Sequence, residues 1–300
     1  KGSGSSFIEN RKSLEKIKIN MRVIHNVSKP DTSIELFGRK MSSPIFAAPV
    51  SGTILNMGGK VSEKEYIEPV VRGCSNSGIY AMVGDTNVDT FLLDNLDVLK
   101  DNRGNGIVFI KPWNNSKIID KIRLSEEAGA FAVGVDLDAC GLINNQFQEN
   151  PFSPKTIDEI RELVESTRLP FIIKGIMTVD DALMAVEYGA SAIIVSNHGG
   201  RVLDYTPGTC EVLPDIAKSV KGKITILVDG GVRTGVDVVK MLGLGADAVL
   251  MGRPFVTASF GGGLDGVEFF IEKVRNELCE TMILTGCQNV KDIDGRVIWN

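Results

Sequence analysis

The chain carries little that would direct it to a membrane, a nucleic acid or a structural metal. Its five cysteines, Cys74, Cys140, Cys210, Cys279 and Cys287, are odd in number and scattered, with no Cys-x-x-Cys pair, and only two histidines could assist them. That argues against a zinc site and a disulfide framework, and leaves reduced thiols and a cytoplasmic setting as the expectation. The longest apolar runs, such as Ala130–Val135 and Ala190–Val195, fall far short of the roughly 20 residues that span a bilayer. The opening Lys1-Gly2-Ser3-Gly4-Ser5-Ser6 lacks the apolar stretch of a secretory signal and reads like the interior of a longer chain. Charge of one sign is missing too. The 33 basic and 38 acidic residues are interspersed, for a net charge of -5, so no basic stripe awaits a phosphate backbone and nucleic acid is not an expected partner.

What is present is a repeated alternation. Short apolar runs occur at Pro44–Val50, Gly78–Val83, Gly106–Ile110, Phe131–Asp136, Pro170–Gly175, Ser191–Ser196, Thr225–Asp229 and Ala248–Gly252. They are rich in Val, Ile, Ala and Phe without polar alternation, the pattern of strands buried on both faces. Amphipathic segments separate them, among them Asn87–Lys100, Ser153–Thr167 and Thr234–Leu244, with capping signals at Ser62-Glu63-Lys64-Glu65 and Thr178-Val179-Asp180-Asp181. Three Gly-Ala corners, Gly129-Ala130, Gly189-Ala190 and Gly245-Ala246, precede the fourth, sixth and eighth runs. The expected fold is an α/β (β/α)₈ TIM barrel of parallel strands, one domain over 1–300 with a lead-in at 1–42. Asn144–Pro154 reads as a polar loop and Gly261-Gly262-Gly263 as a flexible one.

In such barrels the site lies at the strand carboxyl ends. Those ends supply Asp136, Lys174, the string Ser196-Asn197-His198-Gly199-Gly200-Arg201, Asp229-Gly230-Gly231-Val232-Arg233 and Gly252-Arg253-Pro254. Glycines followed by arginines after the seventh and eighth runs suit a phosphate, because bare backbone N–H groups can approach its oxygens while Arg233 and Arg253 add charge. His198, after a strand end and beside glycines, is placed for acid/base work near neutral pH. Arg201 could grip a carboxylate bidentately, or pair with Asp204. Lys174 closes an apolar stretch, so its ammonium must reach something polar and could stabilise developing negative charge. His25 reads as structural.

The run Ser196-Asn197-His198-Gly199-Gly200-Arg201-Val202-Leu203-Asp204, with Asp229-Gly230-Gly231-Val232-Arg233 and Gly252-Arg253-Pro254, resembles the FMN-dependent 2-hydroxy-acid oxidases and dehydrogenases typified by glycolate oxidase and lactate oxidase. The resemblance is strongest from about Leu169 to Ile293 and extends back through Pro44-Ile45-Phe46-Ala47-Ala48-Pro49 to Glu9-Asn10-Arg11. It implies FMN as cofactor, a small L-2-hydroxy acid as substrate, and a homo-oligomer, tetramer or octamer. His198 would be the base that takes the hydroxyl proton as the C2 hydrogen leaves for flavin N5. Asp136 would orient that imidazole, Arg201 would bind the substrate carboxylate, and Lys174 would sit near flavin N1 and O2. Ser196 would contact the flavin, and Pro49, Val50 and Ser51 would pack on its ring. Asp229, Gly230, Gly231, Arg233, Gly252 and Arg253 would surround the ribityl chain and phosphate.

The resemblance has departures. A second substrate arginine, expected seven residues after Asp136, is missing, since Asp136-Leu137-Asp138-Ala139-Cys140-Gly141-Leu142-Ile143 holds none. Lys111-Pro112-Trp113 stands where the family has Gln-x-Tyr, which gives Lys111 the flavin contact and Trp113 a place beside the substrate. Gly84-Asp85-Thr86 replaces a serine-tryptophan region, and an expected tyrosine would fall before Lys1. These changes gather on the substrate side. The resemblance does not name the electron acceptor, and it leaves two alternatives: isomerase chemistry on FMN, as in type-2 isopentenyl diphosphate isomerase, or flavin binding without catalysis.

Overall fold

Each barrel strand is apolar at successive positions because one face meets the barrel interior and the other the helix layer. The computed structural model describes residues 2–143, 145, 149 and 151–299. In it eight strands close into a parallel barrel in chain order: β1 (Ile45–Ala47), β2 (Tyr80–Gly84), β3 (Gly106–Ile110), β4 (Ala132–Asp136), β5 (Phe171–Ile176), β6 (Ala192–Val195), β7 (Thr225–Val228) and β8 (Ala248–Met251). Phe46, Phe109 and Ile107 are among the large side chains that fill the core. The β4–β5 register sets Asp136 directly beside Lys174. Between β5 and β6 the register slips at Gly175, whose φ of 106° only glycine adopts readily.

Besides a single turn at Thr53–Asn56, the α-helices are α1 (Ser5–Lys16), α2 (Glu63–Asn76), α3 (Asp89–Asp101), α4 (Asn115–Glu127), α5 (Ile157–Glu165), α6 (Val179–Glu187), α7 (Thr209–Val220), α8 (Gly235–Gly243) and α9 (Arg253–Thr285). Their caps follow the sequence signals. Ser62 and Glu65 form a reciprocal capping box, and the Thr178 hydroxyl accepts from the Asp181 N–H. Helix α5 starts later than Ser153 because Pro151 and Pro154 precede its Thr156 cap. Part of the loop expected at Asn144–Pro154 lies outside the described residues.

Gly261-Gly262-Gly263 is not a loop. It lies inside α9, which kinks at Gly263 (φ 55°, ψ -137°) and continues. Helical geometry breaks at Gly263, and packing against α2 on both sides holds the two helical stretches together: the Ser259 hydroxyl donates to the Tyr66 carbonyl, and Val267 is buried against Gly73.

The lead-in folds onto the barrel. A hairpin pairs Ile34–Leu36 with Arg39–Met41, and Lys18–Ile19 pairs antiparallel with Ile298–Trp299. Helix α1 packs beside the loop after β6, at the end of the barrel where the strand carboxyl ends converge. No helix among the described residues is long and apolar enough to cross a membrane.

Candidate active site

The loop after β6 is held by polar pins. Asn197 exchanges two side-chain hydrogen bonds with Asn10 of α1, at 2.7 and 3.0 Å, and accepts from the Gly200 N–H. Between these pins His198 sits at φ 55°, a left-handed conformation that costs a non-glycine residue energy and persists only where neighbours enforce it. Ser196 supplies one more constraint, since its hydroxyl accepts from the His198 N–H at 3.1 Å and donates to Asp229 Oδ2 at 2.9 Å.

Facing His198 is a chain of alternating charges from three strands. Lys111 Nζ donates to Asp136 Oδ2 at 2.6 Å, and Lys174 Nζ lies 3.1 Å from Asp136 Oδ1. Lys174 Nζ is also 3.5 Å from His198 Nδ1 and 4.0 Å from Asp138 Oδ1. The Asp138 Oδ1 atom accepts from His198 Nδ1 at 3.0 Å. Asp136, Asp138 and His198 can bring ligand atoms within 4.8 Å of one another, but the Lys174 ammonium already stands among them as a covalently attached cation.

The electrostatics follow from burial and these neighbours. Burial raises the Asp136 carboxyl, yet Lys111 and Lys174 outweigh it and hold the group ionised well below the usual carboxylate range. For Asp138 burial is again outweighed, by Lys174 and His198. Lys174 is penalised by burial, but Asp136 and Asp138 raise it and keep it charged. Burial and the Lys174 charge push His198 down, against the opposing pull of Asp138. A neutral imidazole whose Nδ1–H donates to a carboxylate keeps its lone pair at Nε2, so this group can accept a proton at neutral pH.

The opposite end of the cavity is mostly backbone. After β7, Gly230 and Gly231 take φ of 103° and 86°. A Cβ on Gly231 would lie 2.8 Å from the Asn10 carbonyl, so α1 and this turn approach as closely as glycine permits. Arg11 of α1 donates to the Gly231 carbonyl and to Asp237. Arg253 lies 4.3 Å over the Phe7 ring. Burial pushes the Asp229 carboxyl up to about 6 against the pull of Lys174, and its Oδ1 is buried with no partner.

A cavity of about 500 Å³ joins the two ends, within the usual range for small-molecule sites. Asp136, Lys174, Lys111, His198, Arg201, Pro49, Val50, Ser51, Asp229, Gly230, Gly231, Arg233, Gly252 and Arg253 all line it. Arg201 does not pair with Asp204. It donates to Asn56 Oδ1 at 2.7 Å, while Asp204 accepts from the Ser3 and Ser5 N–H groups.

Three expectations from the sequence need correction. Trp113 does not line the cavity: its indole N–H donates to the buried Asp85 at 2.8 Å, Lys117 lies 3.7 Å from its ring, and Phe152 packs on its edge. Ser196 is fully buried behind Asp229 and does not line it either. The carboxylate bonded to His198 belongs to Asp138, because Asp136 ends β4 facing the two lysines while Asp138 sits on the 3₁₀ turn Leu137–Gly141 above it.

Sequence reasoning also missed Glu63, whose carboxylate accepts from the Gly52 and Thr53 N–H groups and the Ser51 hydroxyl. It thereby shapes the loop after β1. Its only signal was an acidic residue at a helix start. Asp85, buried with Lys121 at 2.7 Å, had no sequence signal beyond its departure from the family pattern.

A sequence model of FMN-dependent dehydrogenases matches residues 1–152 and 139–300. The chain is 32% identical over 336 residues to a 2-hydroxyacid oxidase of Dictyostelium discoideum, covering 98% of this chain and 82% of that one. It is 51% identical over 142 residues to a peroxisomal (S)-2-hydroxyacid oxidase of Arabidopsis thaliana, covering 47% of this chain and 38% of that one. A crystal structure of mandelate oxidase with benzoyl-formic acid superimposes with a TM-score of 0.83 at 30% identity, covering 99% of this chain and 90% of that one. The 336-position alignment exceeds the 300-residue chain, so that relative has stretches this chain lacks. The two matched segments meet within 139–152, in the connection after β4.

Proposed function

This chain belongs to the FMN-dependent dehydrogenase family, and from that premise we propose that it oxidises a small L-2-hydroxy acid to the 2-oxo acid, with His198 as the base. The observation that carries the reading is the half-buried imidazole of His198, within hydrogen-bond distance of a carboxylate at Nδ1 and lining a cavity whose other end suits a phosphate.

The residues fit the cofactor. Asp229 Oδ1 is buried without a protein partner and can accept from a ribityl hydroxyl. The turn at Gly230 and Gly231 has no side chains to obstruct a phosphate, and Arg233 and Arg253 line the same end. Lys174 and Lys111 would place positive charge beside the flavin ring, and Pro49, Val50 and Ser51 would form a wall for it. FMN, when bound, supplies the acceptor for the C2 hydrogen and its electron pair.

The protein's part is placement and proton transfer. Arg201 holds the substrate carboxylate, and His198 Nε2 takes the hydroxyl proton. The imidazolium that results is stabilised by the carboxylate at Nδ1. With no second arginine and no phenol in the position of Trp113, carboxylate binding falls mainly to Arg201. Neither isomerase chemistry nor a binding-only role has an observation in its favour. The same reading takes the whole chain as one FMN-binding domain, the working enzyme as a homo-oligomer (tetramer or octamer), and the cytoplasm as its compartment.

The test is turnover of purified holoprotein with a panel of L-2-hydroxy acids of increasing side-chain size, with the product trapped as a 2-oxo-acid hydrazone. One 2-oxo acid formed per substrate consumed supports the reading. No 2-oxo acid from any member of the panel, with FMN demonstrably bound, contradicts it.

A further inference from the structure

We infer that Asp138, and not Asp136 at the end of β4, is the positioning residue that orients His198 and fixes which of its nitrogens carries the proton. This inference rests on the reading of His198 as the base.

Two carboxylates lie close to the imidazole, but their bonding differs. Both oxygens of Asp136 face lysines, with Lys111 Nζ at 2.6 Å from one and Lys174 Nζ at 3.1 Å from the other. Two ammonium groups at these distances compensate the charge of Asp136, whose Oδ1 is ion-paired but, like Asp138 Oδ2, makes no hydrogen bond; the bond to the imidazole is made by Asp138. Asp138 has no such claim on it: Oδ1 accepts from His198 Nδ1 at 3.0 Å, Lys174 stays 4.0 Å away, and Oδ2 is buried without a hydrogen-bond partner.

The backbone makes room for this arrangement. Asp138 packs on the bulge at Gly175, where a Cβ would come within 2.7 Å of Asp138 Cβ and 2.8 Å of its Cγ. The φ of 106° at that residue further favours glycine. The fold therefore keeps a side-chain-free bulge on β5 at the one place where it allows Asp138 to reach across to the β6 loop.

The consequence concerns the tautomer. With Nδ1–H donating to Asp138, the lone pair of His198 is at Nε2. His25 provides an internal reference of the opposite kind. Its Nδ1 accepts from the Val27 N–H at 3.1 Å, so its proton is on Nε2, which donates to the Arg22 carbonyl at 3.0 Å. As the chain has only two histidines, a nitrogen-15 imidazole spectrum of the holoprotein can show both tautomers without crowding.

The charged groups facing His198 are Asp138 and Asp136 from the β4 end, Lys111 from the β3 end and Lys174 from β5. Asp138 is the one whose hydrogen bond and charge together favour the imidazolium. Removing that charge while keeping an acceptor, as in Asp138→Asn, leaves the tautomer in place and moves the acid limb of the rate of flavin reduction to lower pH. Removing the acceptor, as in Asp138→Ala, frees the ring and lowers that rate about a hundredfold or more, with little change in KM.

The experiment records imidazole spectra and anaerobic reduction rates for Asp138→Ala, Asp138→Asn and Asp136→Asn as holoproteins. Loss of the His198 Nδ1–H signature in Asp138→Ala alone, with the His25 signal unchanged, is the expected result. Loss of that signature in Asp136→Asn, with Asp138→Ala retaining it, overturns the assignment. Since the spectra need no substrate, the inference can fail while the base reading survives. Conversely, a His198→Ala protein that reduces its flavin at the original rate removes the base reading and leaves the spectra to decide the hydrogen bond.

Discussion

At the β7–β8 end of the cavity the chain presents Gly230, Gly231 and Gly252, with two arginines near them. At the β3–β6 end it presents, in order of contact, Lys111, Asp136, Lys174, Asp138 and His198, each within 4.0 Å of the next. The first end acts through open backbone and charges that line the cavity, and it touches the second through Asp229, which feels the Lys174 charge and binds the Ser196 hydroxyl. In the second, every group sets the charge state or direction of a neighbour. On the proposed reading, cofactor binding draws mostly on backbone and chemistry on a set of mutually coupled charges, and substitutions should reveal the difference.

The largest expected effect is at the coupled end. Lys174→Met removes the cation shared by Asp136, Asp138 and His198, and should slow anaerobic flavin reduction by about 10²- to 10³-fold. A rate within threefold of the original would show that the charge chain does not act on the chemistry.

Next in size is Gly231→Ala. A left-handed φ of 86° and a Cβ placed 2.8 Å from the Asn10 carbonyl should cost about 1–3 kcal/mol of local strain. Fluorescence titration should show FMN affinity falling about tenfold or more, while the pH profile of reduction stays where it was. A shifted profile would mean that the two ends communicate.

Double-mutant cycles sharpen the contrast further. Arg233→Ala and Arg253→Ala should add in FMN binding to within about 0.5 kcal/mol, whereas Lys111→Met and Asp136→Asn should show a coupling of about 0.5–3 kcal/mol in unfolding free energy. Equal coupling in both pairs would erase the distinction.

The smallest effect belongs to Asp229. Its folded pKa is raised from 3.8 to about 6, so the fold prefers its protonated form. The stability this contributes is present below the unfolded value and is lost as pH rises through about 6. Thermal unfolding of the FMN-free protein at a series of pH values should show Asp229→Asn losing less stability across that window than the unsubstituted chain. The reverse order would mean that Lys174 holds the carboxylate ionised throughout.

How much of this could be read beforehand divides along the same line. Strands buried on both faces announce themselves as unbroken apolar runs, and a phosphate turn is a contiguous stretch whose glycines and arginines stand together in the chain. The barrel, the corner at Asp229–Arg233 and the string around His198 were legible for that reason. The partner of His198 was not, because Asp136 and Asp138 differ by two residues in sequence but face different neighbours: strand pairing turns the first toward Lys174, and a 3₁₀ turn lifts the second over the bulge at Gly175. Trp113 misled because its indole N–H is claimed by Asp85, a buried acid whose Lys121 partner lies on α4. Glycines in a row suggested a loop at 261–263, where the break is confined to a kink at Gly263 between two helical stretches packed on α2.

The most direct test of the account compares the holoprotein with its His198→Ala variant in an anaerobic spectrum, before and after adding the L-2-hydroxy acid that turns over best. The account predicts that both proteins are yellow with equal FMN content, and that substrate bleaches the original protein while the variant stays oxidised over at least a hundredfold longer time. Bleaching of the variant at an undiminished rate, or loss of FMN from it, would contradict the division of the cavity into a cofactor-binding end and a catalytic one.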